Sequence, residues 1–315
     1  MKNIADFSEL EVGIHMALDA LSNGESVNVE DEWIEQAGEE FKAAIRRKLE
    51  DGKEKFRLRM SNIGRPTCQL QNEKAHSNYK YGINNDGATT LKSDFVKERN
   101  EYSFFVKMLI GDAVESIIKL AVKASGANIT GSNTKVQLQV NDTIIKGEND
   151  LEIDGAIWDV KSCSPYAFDH KWSEGWNGVY HQDSFGYVSQ LYGYAKAENK
   201  PMGGWIVVNK STGEVKVVDA APTPTQLKEI EYNIHSTEQR VTLNLPFERC
   251  FEEEDEFFKK KATGNKKVNI VCTFCPFLQH CWPTAELKPQ AMSTAQDRKV
   301  VWYTKYDPTT NVRVK

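Results

Sequence analysis

Asp154-Gly155 lies between two apolar runs, Leu151-Glu152-Ile153 and Ala156-Ile157-Trp158, and few dipeptides restrict a chain more. A two-residue hairpin turn needs positive φ at both central positions, which Asp-Gly accepts. The turn sets the register. Ile153 faces Ala156, Glu152 faces Ile157, Leu151 faces Trp158, and Asp150 faces Asp159. Cross-strand partners hold their Cβ atoms ~5 Å apart on one face, so the rule puts two carboxylates side by side. Side chains alternate along a strand, so Lys161 joins that face. Two carboxylates and a lysine at one point can hold a divalent cation and position a water. Asp154 stays outside the site, about 13 Å along the strand from Asp150 at ~3.3 Å per residue. The competing reading is a solvated hairpin with a surface ion pair. Asp-x-Lys occurs four times, at Asp51, Asp159, Asp169 and Asp297, and only the copy at Asp159 sits in an apolar strand.

With 315 residues the chain can bury a full core. It contains no apolar run of membrane-spanning length, and Met1 to Asp6 lack the basic and apolar regions of a signal peptide. The expectation is a cytoplasmic protein, with no membrane partner, in a reducing setting. There the six cysteines read as ligands or thiols rather than disulfides. The net charge of −5 argues against bulk coating of nucleic acid, though not against a basic cleft. Two basic runs, 42–59 and 259–267, read as solvated faces.

Helices are predicted over 5–22 and 30–50, where no chemistry is evident; residues 1–55 read as an N-terminal helical cap on a domain spanning 56–315. Gly64 and Pro66 fix a loop over 60–70, and 71–100 reads as an irregular connection. The strongest helix covers 103–124, with Glu115 at the edge of its apolar face. A carboxylate there needs a partner or a metal. Val136 to Val140 alternates as a strand, and 163–182 reads as an aromatic-rich loop near the site. Asp183-Ser184 can cap a helix over 185–198, on which Gln190 and Tyr194 share a face. Gly203 to Asn209 and Glu214 to Val218 read as the two strands of a hairpin, Pro224 introduces a helix over 225–240, and 252–267 reads as a surface excursion.

A second constellation is Cys272-Thr273-Phe274-Cys275-Pro276-Phe277-Leu278-Gln279-His280-Cys281, whose three cysteines are too dense to be incidental in a reducing compartment. Three thiolates call for a fourth ligand, with Cys68 the candidate and His280 the rival. Cys163 and Cys250 read as structural. The single knuckle favours an iron–sulfur cluster over structural Zn²⁺, and spacing leaves both open.

Together these residues resemble the RecB-like branch of the PD-(D/E)XK nuclease superfamily. The motifs are Gly111-x-x-x-Glu115, Gly147-x-x-Asp150, Asp159-Val160-Lys161 and Gln190-x-x-x-Tyr194. The cysteine arrangement is similar to the iron–sulfur clasp of the AddB nuclease domain and of CRISPR-associated RecB-like nucleases. Ser61-Asn62-Ile63-Gly64-Arg65-Pro66, Asp159-Val160-Lys161-Ser162 and Asp183-Ser184-Phe185-Gly186-Tyr187 look closer still to tailed-phage exonucleases. The resemblance covers about residues 55–305. Two departures stand out: a short separation between Asp150 and Asp159, and Glu148-Asn149 where phage relatives often carry His-Ile.

The resemblance implies an α/β fold, with a mixed central sheet flanked by helices, closed by a [4Fe–4S] cluster on Cys68, Cys272, Cys275 and Cys281. It implies that Glu115, Asp150, Asp159 and the Val160 carbonyl bind Mg²⁺ or Mn²⁺, and that Lys161 orients or deprotonates the attacking water. Gln190 and Tyr194 would support the site and, with Arg65, touch DNA. The implied activity is a divalent-metal-dependent DNA exonuclease acting on linear or single-stranded ends, in phage recombination, repair or processing within a bacterial host cytoplasm. Partners would be DNA and phage recombination or replication proteins. Alternatives are a CRISPR-adaptation nuclease, a non-catalytic DNA-binding subunit on the same fold, and a zinc-binding interaction protein.

Overall fold

Asp154 and Gly155 both adopt positive φ, at 52° and 75°, and the hairpin closes on them. The computed structural model describes residues 8–25, 29–50, 56–76, 101–291, 293, 296 and 298–307. The irregular connection expected over 71–100 lies outside the described residues from 77 onward. The chain divides into two compact units: residues 1–65 with 102–244, and residues 66–101 with 245–315.

The first unit begins with α1 (Glu9–Ser22) and α2 (Asp31–Glu50). The helix α3 (Thr67–Ala75) belongs to the second unit, and α4 (Glu101–Ala124) returns to the first. There follow β1 (Ile129–Ser132), β2 (Lys135–Val140), β3 (Thr143–Glu148), β4 (Leu151–Ile153) and β5 (Ala156–Cys163). Three helices, α5 (Pro165–Asp169), α6 (Gly175–His181) and α7 (Tyr187–Glu198), lead to β6 (Met202–Asn209). The unit closes with β7 (Val215–Asp219) and α8 (Pro224–Thr242). The central sheet has the order β1-β4-β5-β6-β7. Only β5 and β6 run parallel, so the sheet is mixed, as expected of this sequence. A parallel pair needs a crossover, and α5 to α7 supply it.

Both faces of the sheet are covered. Ile157, Cys163, Trp205 and Val207 pack into one apolar cluster with Val188, Leu191 and Tyr194 of α7. Trp158, Val160, Ile206 and Val208 pack into another with Ile14 of α1 and Ile118, Ala121 and Val122 of α4. Alternation along β5 therefore places Asp159 and Lys161 on the α7 side. The first helix is part of this core rather than of a separate cap ending at residue 55. It also covers the sheet edge at β7, where Glu11 accepts the Val217 N–H at 2.9 Å and His15 Nε2 lies 2.9 Å from the Val215 carbonyl. Pairing the polar groups of an edge strand in this way blocks association with another chain.

Residues 163–182 are more ordered than a loop. Ser164 caps α5, Pro165 starts it, and Trp172 and Trp176 are buried. Residues 60–65 form the expected turn, and Pro66 then opens α3.

In the second unit β8 (Glu254–Phe258), β9 (Lys261–Lys267), β10 (Glu286–Pro289) and β11 (Val300–Lys305) form an antiparallel sheet of order β10-β11-β9-β8. Two short helices, α9 (Ile270–Thr273) and α10 (Leu278–Cys281), carry the cysteines. The surface excursion read over 252–267 is thus a hairpin, turning at Lys259 and Lys260 with φ of 47° and 67°. Its charges pair across the strands, Lys266 to Asp255 at 2.7 Å and Lys267 to Glu254 at 3.2 Å. Composition alone makes that acidic block and the lysine-rich block after it look like a solvated run. Buried Glu256 accepts from Thr263, Asn265 and the Tyr303 hydroxyl, so even the polar face of this hairpin holds a satisfied network.

Candidate functional site

The β4–β5 ladder pairs Leu151 with Trp158, Glu152 with Ile157 and Ile153 with Ala156, the register the turn dictates. Asp150 lies one residue beyond it, in a bend after β3. There its Oδ2 accepts the Val160 N–H at 2.8 Å, a side chain taking the place of the next ladder acceptor. Asn149 fixes the bend. It is buried, exchanges bonds with Thr134 through its backbone N–H and its Oδ1, both at 3.0 Å, and donates its amide to Glu198 of α7. Gly147 is required by packing: a Cβ there would meet Met60 and Tyr194 at 2.6 Å. Gly111, by contrast, would place a Cβ no nearer than 3.7 Å to Ser162, so packing does not demand it.

Asp159 is 0% exposed. Its Oδ2 forms an ion pair with Lys161 Nζ at 2.5 Å. Beyond that pairing, the described residues give its carboxylate no hydrogen-bond partner. Burial, followed by the neighbouring Asp159 charge, pushes Asp150 up to about 6. Burial also raises Asp159, opposed chiefly by Lys161. Lys161 is raised in turn, because Asp159 and Asp150 together outweigh its own desolvation.

Glu115 comes from α4 and lines a cleft of about 410 Å³ with Glu40, Arg47, Asp112 and Glu148 among others. Burial, then the Asp150 charge, pushes it up to about 7. Its Oε1 accepts from Lys119 Nζ at 2.6 Å; the buried Lys119 also donates to Asn133 at 2.7 Å and approaches Glu40 at 3.6 Å. The partner expected of a boundary carboxylate is therefore a lysine one turn along its own helix. Gln190 and Tyr194 share one face of α7, with Gln190 Nε2 3.2 Å from the Tyr194 hydroxyl. Burial and Asp150 both raise Tyr194, which places that phenol in the field of the hairpin carboxylates. Arg65 ends a turn held by its N–H to the Asn62 carbonyl at 3.0 Å. That turn packs against the start of α7 so closely that a Cβ on Gly64 would stand 2.6 Å from Gly186.

Gly186, rather than Asp183 or Ser184, is the N-cap of α7, which starts at Tyr187; the Asp183 carboxylate instead gathers the turn before it, accepting four backbone N–H groups, from Phe185, Gly186, Tyr187 and Val188, at 2.7–3.3 Å. Lys171 escaped the sequence reading. It sits in the crossover among Trp172, Phe185 and Tyr187, and Lys161 Nζ lies 5.5 Å from the centre of that same Tyr187 ring. A lone lysine among polar residues carries no periodic signal that could have singled it out.

The thiols of the second unit form their own group. Cys68 and Cys281 are buried, Cys272 and Cys275 partly so. Cys250, read as solitary, lies against Cys68, whose backbone N–H donates to the Cys250 Sγ at 3.1 Å. Asn72 donates to the Cys281 Sγ at 3.8 Å. Hydrogen bonding to Cys250 and burial hold the Cys68 thiol well above its ordinary range. Burial raises Cys272 to about 11 and Cys275 to about 12. His280, the rival ligand, makes ring contacts with His76 at 5.5 Å and Phe247 at 6.2 Å. Cys163 lies apart in β5, where burial raises it to about 11.

Among the described residues, no three Cys, His, Asp or Glu side chains converge closely enough to ligate one ion. The donor types still suit the implied groups. Asp159 offers buried carboxylate oxygens, paired only to Lys161, beside Asp150, which match a hard cation, and the second unit offers N–H-supported sulfurs, which match a soft one. Among the described residues no helix is long and apolar enough to cross a membrane.

No family model matches the chain, and no curated protein matches it significantly. A solved structure similar to it is the crystal structure of SSO0001, at 12% identity and a TM-score of 0.42, covering 75% of this chain and 91% of that one. At that level of likeness neither fold family nor function follows.

Proposed function

We propose that the chain is a divalent-metal-dependent deoxyribonuclease with a PD-(D/E)XK core, acting on DNA ends. One observation carries the reading. Asp159 is wholly buried in a central strand beside a second carboxylate, and Lys161 is the one cation paired with its carboxylate among the described residues. Two buried carboxylates sharing one ammonium carry a net charge that a proton or a further cation would offset. Structural ion pairs have no need of such an arrangement, whereas phosphodiester hydrolysis needs a cation at the phosphate.

Glu115, Asp150, Asp159 and the Val160 carbonyl would hold Mg²⁺ or Mn²⁺. When bound, the ion supplies charge neutralisation at the scissile phosphate and its leaving oxygen. Lys161, held by Asp159, orients a water or hydroxide with its remaining N–H donors. Gln190 would touch the DNA backbone, with Arg65 beside the start of α7, while Tyr194, buried and bonded to Gln190, would support the site from within. In the second unit the cysteines would hold a structural [4Fe–4S] cluster, with Zn²⁺ as the competing occupant.

The test is digestion of end-labelled linear and closed circular DNA with Mg²⁺ and with EDTA. Release of labelled nucleotides from linear DNA alone, only with Mg²⁺, is the expected result. Absence of cleavage on every substrate would leave the binding-subunit alternative and end this reading.

A further inference from the structure

Lys171 is 7% exposed, yet among the described residues its ammonium has no hydrogen-bond or ion-pair partner. Asp183 lies nearest in charge, but four backbone N–H groups already occupy that carboxylate. What surrounds Lys171 Nζ is aromatic: Tyr187 at 4.6 Å, Trp172 at 5.0 Å and Phe185 at 5.8 Å from the ring centres. Ring faces attract a cation without supplying lone pairs, so no protein oxygen among the described residues accepts from its three N–H donors. Burial accordingly pulls this lysine below its ordinary pKa. An anion with acceptor oxygens is the group that would complete the site.

The rings form a ladder. Phe185 stacks on Tyr187 at 5.7 Å and 19°, and Tyr187 stacks on Trp172 at 5.7 Å and 26°. Lys161 Nζ lies 5.5 Å from the Tyr187 centre, so one ring joins the ammonium of the hairpin to that of Lys171. At the other end Phe185 is 48% exposed. A large apolar ring left half in water beside a cation that no protein oxygen among the described residues binds is a combination that ordinary core packing does not require.

We propose that Lys171 and Phe185 form a subsite for one unpaired nucleotide next to the hairpin site, Lys171 bonding a phosphate oxygen and Phe185 stacking on the base. The proposal rests on the nuclease reading and names its substrate more closely. Bases within a duplex already stack on both sides, so an exposed ring can engage only a base that is single-stranded or frayed. The subsite would therefore select an unpaired strand end and hold it in register with Asp159 and Lys161.

The experiment is fluorescence anisotropy in Ca²⁺ with a labelled oligothymidylate, the same strand carrying abasic sites, and a blunt hairpin duplex, each titrated with salt. Wild type, Phe185→Ala, Lys171→Met and Lys171→Arg are compared, with thermal melts of each. Phe185→Ala should weaken oligothymidylate binding about tenfold while leaving the abasic strand unchanged, in line with ~1–3 kcal/mol per stacked base. Lys171→Met should reduce the salt slope by about 0.7, the share of one phosphate on a single strand, and Lys171→Arg should restore it. Variants that match wild type in affinity and slope, while wild type binds and cleaves DNA, overturn this proposal alone. Equal loss on the base-bearing and abasic strands overturns the stacking role. Wild type that binds no DNA brings down the nuclease reading with it. Since Phe185 is half exposed, its variant tests the site even if Lys171→Met melts early.

Discussion

Ten positions separate Val160 from the Asp150 side chain that accepts its N–H, whereas 182 separate Cys68 from the Cys250 sulfur against which it lies. The hairpin donors are brought together by a local turn. The thiols are brought together by the fold of a whole unit. Both groups are held in environments that oppose their ionised forms: Asp150 and Glu115 at about 6 and 7, Cys272 and Cys275 at about 11 and 12. A local turn can hold an unfavourable carboxylate pair in place before any cation arrives, because the strands around it are anchored in two apolar clusters. The cysteine unit has a much smaller apolar cluster of Val268, Leu278, Cys281, Trp282 and Ala285. Its order should lean on whatever joins its sulfurs.

The largest effect should come from Lys161→Ala. Loss of one water-positioning or general-base group costs about 10²–10⁴ in rate. Single-turnover cleavage of linear duplex in Mg²⁺ should fall by that factor, while DNA binding in Ca²⁺ stays close to wild type. Binding lost in proportion to cleavage would make Lys161 a phosphate anchor. Near-normal cleavage would remove the hairpin from the active site and with it one side of the comparison.

Cys275→Ala tests the other side. Anaerobically purified wild type should contain iron and absorb broadly in the visible blue; the variant should lose both and melt lower. Stoichiometric zinc without iron would replace the cluster by the simpler ion and keep the soft-donor argument. Wild type with neither metal, melting as the variant does, would leave the thiols as packing. Cys250→Ser belongs in the same series, since its sulfur sits against Cys68 while spacing had set it aside.

That difference shows what the residues disclosed on their own. The hairpin was readable because two-residue turns have few solutions, and Asp154-Gly155 names one of them. The helix α4 was readable by periodicity, and α7 by the capping signal ahead of it. Cys250 was not, since no local rule says which distant segment will lie beside α3. Lys119 was half readable: its place one turn after Glu115 is plain, but the bonds to Asn133 and Glu40 come from tertiary packing. The hairpin of β8 and β9 was hidden by charge, because a block of acids followed by a block of lysines looks alike whether the two face water or each other. Lys171 was hidden because two of its three rings, Phe185 and Tyr187, come from a turn some way along the chain that no local rule places beside it.

A smaller effect distinguishes the two regions by pH. Glu115 and Asp150 have folded-state values raised above their unfolded ones, so the stability they contribute is complete below about pH 4 and is lost as pH rises through about 6 and 7. In EDTA the melting temperature of the first unit should therefore decline across that window. Excess Ca²⁺ should remove the decline, because the cation binds the ionised form. Glu115→Gln should reduce the decline in EDTA. Calorimetry at constant ionic strength from pH 4 to 8 gives the answer, and a melting temperature that rises through the window in EDTA would break the electrostatic account of the pair.

The smallest effect is expected at Asp154, and its smallness is the point. Asp154 is an exposed turn residue at φ 52°, with its Oδ1 3.2 Å from Asn128 Nδ2. Asparagine tolerates that left-handed conformation and keeps an acceptor for Asn128. Asp154→Asn should change stability by no more than about 0.5 kcal/mol and leave cleavage within about twofold of wild type. Asp150→Asn removes one charge of the carboxylate pair yet can still accept the Val160 N–H, so the register should survive while cleavage is abolished. The two substitutions make the same chemical change four residues apart, which controls for any general effect of losing an acidic group. Equal loss of cleavage in both would mean that the turn itself, and not the pair it brings together, is what the reaction needs. A normal Asp150→Asn enzyme would put the cation on Asp159 and Glu115 without its neighbour.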